Sequence, residues 1–191
     1  MQKDEYRLLL NRLLGETSLA RSEELAYSKL YACEINSRTS FLALTFYALS
    51  NDALSHAIKV LEIGQQCRSY WTVEALKRSE IRAFAYDNRT DLRRIHSLSK
   101  KLKKVRNKTH FHIDTESLIN PDFIWNDAGI KMDEFSDGLR DIWAILLHLY
   151  RLEFGTNYPH VDDYDGSDVE RIVELAKNQG LVKIGATVTI S

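Results

Sequence analysis

A nine-residue segment, 106–114, concentrates the side chains of this chain that are best suited to chemistry on an anionic group. It reads RNKTHFHID and contains Arg106, Asn107, His110, His112 and Asp114. Histidine has an unperturbed pKa of about 6.5, so it can accept or donate a proton near neutral pH. Arginine can bind two oxygens of an anion through its planar fork and can stabilise the charge that develops in a transition state.

Helical geometry leaves two candidates for the functional histidine. In a straight helix His110 lies about 40° from Arg106 on the same face, whereas His112 lies about 120° away. His112 follows Val105 by one heptad and therefore ends an apolar stripe, where a histidine is more often packed than reactive. His112 can join Arg106 in a site only if the helix bends, ends early or receives the residue from a partner chain.

The segment ends a basic amphipathic helix that we predict from Asp91 to Asp114. Its apolar stripe recurs at three- and four-residue steps: Leu92, Ile95, Leu98, Leu102 and Val105. Good N-cap residue types precede it: Asn88, Thr90 and Asp91. From Arg93 to Lys108, eight of sixteen residues are Lys or Arg and none is acidic. Such a face is usually only solvated, but it can also bind phosphates; the candidates besides Arg106 are Arg93, Arg94, Lys100, Lys101, Lys103, Lys104 and Lys108.

Helical periodicity over most of the chain predicts an all-α fold. Only two prolines and eight glycines interrupt it. We expect an up-and-down bundle of four to five main helices over residues 1–155, with helices near 3–35, 37–64, 73–82, 91–114 and 132–154. Gly15 is expected to weaken the first helix, and Gly155 to end the last. Residues 156–191 are expected to be a short appendage: an acidic linker, a helix with a capping box of Ser167 and Glu170, and a strand-like tail.

Three smaller sequence patterns also lead to local predictions: a charged pair, a group of aromatic residues and an acidic segment. Asp52 and His56 are four residues apart, which favours a pair on one helix surface over a site. Tyr70, Trp71, Phe84 and Tyr86 are expected to pack on the bundle, although aromatic rings beside the basic helix could also stack bases. The acidic residues at 162–168 lack the spacing of a calcium-binding loop.

Composition restricts the function classes. The net charge is −1, so attraction to nucleic acid must come from local charge. Cys33 and Cys67 have neither a disulfide framework nor metal-ligand spacing, and we predict no metal and no cofactor. The charged N-terminus has no signal-peptide pattern, and no apolar run approaches a membrane span. We therefore expect a cytoplasmic protein without a membrane partner.

The run Arg106-Asn107-Lys108 followed by His112-Ile113-Asp114 resembles the motif of the HEPN superfamily, most closely its abortive-infection U-like group. The order of long helices over residues 1–155 agrees with this resemblance. One position departs from the pattern, because the family usually has a small residue where Phe111 stands. The family pattern places the functional histidine at His112, whereas helical geometry favours His110.

The resemblance implies a helical homodimer, in which motifs from two protomers meet in a basic cleft. Many relatives are metal-independent endoribonucleases of toxin–antitoxin or phage-defence systems, which would make RNA and an antitoxin-like protein the expected partners. A histidine would then move protons, Arg106 would hold the phosphate, Asn107 would bind the phosphate or orient the histidine, and Asp114 would fix its tautomer. Other relatives are non-catalytic, so the alternative is a module that binds RNA, a nucleotide or a protein.

Overall fold

The computed structural model describes residues 1–33, 41–64, 67–109, 121–160 and 164–180, and its secondary structure in these ranges is helical throughout. The helices are α1 (Lys3–Ala32), α2 (Phe41–Leu61), α3 (Tyr70–Leu76), α4 (Arg78–Asp87), α5 (Leu92–Thr109), α6 (Pro121–Ala128), α7 (Met132–Phe154) and α8 (Ser167–Asn178). The predicted all-α class is confirmed for this part of the chain. No helix of the described ranges is both long and apolar enough to cross a membrane.

Four long helices, α1, α2, α5 and α7, build the bundle. Helix α1 packs on α2 and α7, while α5 packs on α2 and α7 from the other side. Their apolar stripes meet in one core that excludes water almost completely, and that includes Leu10, Leu13, Leu14, Val60, Leu98, Leu102, Leu139 and Ile142. Burial of these stripes is the main source of stability for such helices.

The first two helices differ from the prediction, α1 at Gly15 and α2 at its C-terminal end. Gly15 does not interrupt α1, because buried residues on both sides of it, Leu13 and Leu14 before and Thr17 and Ala20 after, hold the helix in the core through tertiary packing. Helix α2 ends at Leu61, before Gly64. The caps predicted for α2, Ser37 and Thr39, lie outside the described residues.

The region between α2 and α5 contains two short helices where the sequence predicted one. Helix α3 ends and α4 begins around Lys77, whose side chain forms an ion pair with Glu153 of α7. Tyr70 is buried and Trp71 and Phe84 are half-buried, as expected. Tyr86 is 86% exposed, so the prediction that it packs on the bundle is wrong.

The second half of the bundle agrees better with its sequence pattern. Helix α7 has the predicted bounds, and Gly155 ends it in the left-handed conformation at φ 66°. Helix α6 was not predicted, because turn-forming residues flank it on both sides. It begins at Pro121, where the missing N–H costs nothing, and Trp125 anchors it by donating a 2.7 Å hydrogen bond to the Ser50 hydroxyl.

The C-terminal helix α8 lies against α1. The predicted capping box is wrong, because Glu170 forms an ion pair with Lys29 of α1 and does not turn back toward Ser167. The Asp165 carboxylate instead accepts a 2.9 Å hydrogen bond from the backbone N–H of Ser167. The strand-like tail, residues 181–191, lies outside the described residues.

Candidate nucleic-acid interface

Helix α5 is oriented by its cap and by its apolar stripe. The Asp91 carboxylate accepts a 3.0 Å hydrogen bond from the Arg93 N–H, which confirms Asp91 as the N-cap residue. Four residues of the predicted stripe are buried in the core: Ile95, Leu98, Leu102 and Val105. The opposite face of α5 must therefore point toward solvent.

Three basic residues of α5 form ion pairs with neighbouring helices. The Arg94 guanidinium lies 3.1 Å from Asp137 and 3.3 Å from Asp141 of α7. Burial raises the pKa of Asp141, and the charge of Arg94 opposes that rise. Lys101 pairs with Glu134 of α7, which also accepts a hydrogen bond from the hydroxyl of Ser97.

The third of these pairs joins Arg106 to Glu62, which follows the last residue of α2. These three basic side chains therefore help to hold α5 in the bundle. Their charges are largely compensated by carboxylates, which reduces what they can offer a phosphate group.

Four other basic residues of α5 have no acidic partner within the described part of the chain. Arg93, Lys100, Lys103 and Lys104 are exposed, and none of them forms an ion pair with another described residue. The side chain of Lys108 lies outside the described part of the structure. An open groove of about 560 Å³ runs along this face, and it is lined by Arg93, His96, Ser97, Lys100, Lys101 and Lys104.

The groove contains one residue that the sequence analysis missed, His96. Its ring lies against that of Trp71 of α3 in a tilted arrangement, with the centroids 4.5 Å apart and the planes 35° apart. Trp71 is itself held by a 2.8 Å hydrogen bond from its indole N–H to the carbonyl of Leu61, which also accepts one of 2.9 Å from the buried Ser99 hydroxyl. The only sequence signal for His96 is its place between Arg93 and Lys100 on the polar face of the helix.

At the C-terminal end of α5, the structure describes two of the five predicted catalytic residues. Arg106 is half-buried, and its Nη2 atom donates a 3.3 Å hydrogen bond to the side-chain oxygen of the exposed Asn107. His110, His112 and Asp114 lie outside the described residues. Their predicted meeting with Arg106 therefore stays a prediction.

A second charged cluster lies between α1 and α2. His56 Nδ1 is 2.6 Å from Glu16, His56 Nε2 is 3.5 Å from Glu23, and Lys59 is 3.2 Å from Glu16. The predicted pairing of His56 with Asp52 is therefore wrong, because α1 supplies closer carboxylates than the helix's own next turn.

The two carboxyls of this cluster have pKa values shifted in opposite directions. Burial raises the pKa of Glu16, but hydrogen bonds and charges from His56 and Lys59 outweigh it, and the net pKa lies below the ordinary value. For Glu23 burial prevails and the pKa is raised. No three His, Cys, Asp or Glu side chains of the described ranges are grouped so that they could hold a metal ion.

Comparisons of the chain with protein families, with curated proteins and with solved structures give no match. The resemblance to the HEPN superfamily therefore stays a prediction, which depends on the 106–114 motif and on the order of the helices.

Proposed function

We propose that this protein binds RNA along the outward face of α5. The observation that carries the proposal is the division of the basic residues into two groups. Arg94, Lys101 and Arg106 are paired with carboxylates of the bundle, whereas the exposed cations on the outward face have no acidic partner among the described residues. Helix packing therefore accounts for the first group but not for the second.

The geometry of the exposed group fits an elongated polyanion. On helical spacing Arg93, Lys100 and Lys104 lie within about 40° of one another around the axis, and they span about 16 Å along it. Lys103 lies beside this line. Cations that already have a carboxylate partner gain little from a phosphate, whereas uncompensated cations release counterions from RNA on binding.

The test is equilibrium binding of a labelled RNA by fluorescence anisotropy. We expect the Lys100→Glu/Lys104→Glu double variant to bind at least about tenfold more weakly, because each phosphate contact contributes to the electrostatic attraction. The matched control is Arg82→Glu/Arg171→Glu, which reverses two exposed charges on α4 and α8 with the same change in net charge. Equal loss in both variants, or no binding by the wild-type protein, contradicts the proposal.

A second candidate function is metal-independent cleavage of the bound RNA. It is favoured by the position of Arg106 and Asn107, which lie at the end of the same helix and come a few residues before the two histidines of the motif. In this proposal His112 transfers protons, His110 is the competing candidate, Arg106 holds the phosphate and Asp114 fixes the histidine tautomer. RNA binding without cleavage is the non-catalytic alternative.

A two-fold dimer is part of this proposal, since one protomer supplies one motif. It is supported by apolar residues that one chain leaves open at the first turn of α2, where Phe41 is 79% and Leu44 is 64% exposed. Light scattering at micromolar concentration should give twice the monomer mass, and a monomer contradicts it. The antitoxin-like partner and the toxin–antitoxin or phage-defence role stay predictions.

A further inference from the structure

We propose that His96, supported from behind by Trp71, is a stacking site for one base of a single-stranded RNA. The inference rests on the proposed RNA-binding function and names the part of the RNA that this groove contacts. Arg93 and Lys100 would hold the phosphates on either side of that base.

The His96 ring is held in place before any ligand arrives. The His96 ring lies against the Trp71 ring, which is in turn fixed by the Leu61 carbonyl and by the edge of the buried Tyr70 ring at 5.2 Å. A ring that is already ordered loses little conformational entropy on binding. His96 nevertheless remains exposed, so a planar group can approach its ring from solvent.

Positive charge lies on both sides of the His96 ring along the helix. Arg93 is three residues before His96 and Lys100 is four residues after it, so both lie within about one helical turn on the same face. Neither forms an ion pair with a described residue. A base on the histidine ring would therefore have a free cation available to each of its two flanking phosphates.

Single-stranded RNA suits such a site better than a duplex does. In a duplex the faces of the bases are covered by their neighbours, and proteins contact mainly its sugars and phosphates. Unpaired bases can stack on a protein ring, and this contact tolerates any sequence because every base has a π-face. The volume of the groove, about 560 Å³, lies within the range of small-molecule sites and is sufficient for one nucleotide.

The test compares three RNA ligands of equal length: a single strand, the same strand with abasic sites throughout, and a duplex. Wild-type protein should prefer the single strand. His96→Ala should bind the single strand about tenfold more weakly, which is within the range of a lost base–aromatic stack. Its affinity for the abasic strand should not change, because the phosphate contacts remain.

Two further variants separate stacking from other roles of the histidine. His96→Phe keeps a ring but removes both nitrogens, and it should restore single-strand binding. His148→Ala is the matched control, since His148 of α7 also lies on an aromatic ring, that of Phe84, with the centroids 4.6 Å apart and the planes 32° apart. It should bind all three ligands like the wild type, and circular dichroism should show that each variant is folded.

The outcomes distinguish this inference from the proposed function. Any of four results overturns the stacking site. His96→Ala weakens binding of intact and abasic strands equally, or it weakens neither. His96→Phe fails to restore binding, or the wild-type protein prefers the duplex. If Lys100→Glu/Lys104→Glu still weakens binding in those cases, the proposed RNA-binding function stands. If wild-type protein binds none of the three ligands, the proposed function fails and the stacking site fails with it.

Discussion

Glu62 accepts a hydrogen bond from Nη1 of Arg106 and thereby links the end of α2 to the end of α5. Both side chains are about one-third exposed, Arg106 at 32% and Glu62 at 31%. The motif arginine therefore faces solvent with a carboxylate already in place. A phosphate can engage this guanidinium fully only in competition with Glu62.

Replacing Glu62 by Gln should consequently strengthen RNA binding. Removal of the competing carboxylate frees Arg106, and exposed ion pairs are worth about 0.2 to 1 kcal/mol, so we expect affinity to rise by a factor of about 1.4 to 5. Glu153→Gln is the control. It also removes the carboxylate of an ion pair between elements of the bundle, in which Glu153 of α7 pairs with Lys77. Unchanged affinity for Glu62→Gln in anisotropy titrations would show that Arg106 does not meet the RNA.

The salt dependence of RNA binding should reflect the number of uncompensated cations. Among the described residues of α5 there are four such cations, Arg93, Lys100, Lys103 and Lys104, and they predict a slope of log K against log salt of about −3 for a single strand. Lys100→Glu/Lys104→Glu should reduce the slope to about half of that. Titrations between low and high salt measure it, and an affinity independent of salt would exclude this face as the anchor.

The two histidines of the motif should differ in their effect on cleavage. Loss of a general acid or base lowers the rate by about a hundred- to ten-thousand-fold, and we expect this for His112→Ala. His110→Ala should cost less, because the family pattern places the functional histidine before Ile113-Asp114. The measurement is cleavage of a generic RNA without added metal, with circular dichroism as the folding control. An inactive His110→Ala beside a fully active His112→Ala would reverse the assignment.

The Glu16 carboxylate should make stability depend on acid pH. Its pKa in the folded protein lies below the ordinary 4.5, so its contribution is present above about pH 4.5 and is lost as pH falls through the lower folded value. Glu16→Gln should cost about 1 to 2 kcal/mol of unfolding free energy at neutral pH, since it removes charged hydrogen bonds to His56 and Lys59.

The difference between wild type and Glu16→Gln should shrink below about pH 4.5, when urea unfolding is followed at a series of pH values. Glu23 has the opposite effect on stability. Burial raises its pKa and the charge of Asp52 adds to the rise, so ionisation of this carboxyl lowers the stability of the folded protein. Glu24→Gln on the same helix is the control. A difference that stays constant from pH 7 to pH 3 would contradict the argument.

The contact between α5 and α7 should show strong non-additivity. A Cβ added at Gly138 would lie 2.7 Å from Cδ2 of the buried Leu98, so Gly138→Ala should destabilise the protein by about 1 kcal/mol or more through overpacking. Leu98→Ala alone should cost about 2 to 5 kcal/mol because it leaves a cavity.

In the Leu98→Ala background the effect of Gly138→Ala should change sign. The clash is then absent, the new methyl group enters the space, and alanine favours a helix over glycine by about 1 kcal/mol. Denaturant unfolding of the four proteins completes the cycle. Equal effects of Gly138→Ala in both backgrounds would show that the two residues do not constrain each other.

The sequence predicted those features that local signals determine. Helix α7 has a continuous apolar periodicity and a glycine at its end, so both of its bounds could be read directly. The stripe of α5 and its Asp91 cap were predicted for the same reason. These features depend on residues within a few positions of one another.

The features that were missed depend on neighbours distant in the chain. His56 pairs with Glu16, which is forty residues away in the sequence, and not with Asp52. Glu170 pairs with Lys29 of α1 and not with Ser167. The ordered position of the His96 ring likewise depends on Trp71, which lies on a different helix. The division of the basic residues into paired and unpaired groups could not be predicted either, because the pairing carboxylates come from α2 and α7.

The Leu61 carbonyl accepts hydrogen bonds from both Trp71 and Ser99, and this affects the expected kinetics of RNA binding. Its two hydrogen bonds fasten α3 and α5 to the same point at the end of α2, so the Trp71 ring and the cations of α5 stay at a fixed separation. A surface that needs no rearrangement should associate at a rate set by diffusion and by electrostatic steering. Variants that lose the ring of His96 should therefore shorten the residence time of the RNA while leaving the rate of encounter nearly unchanged.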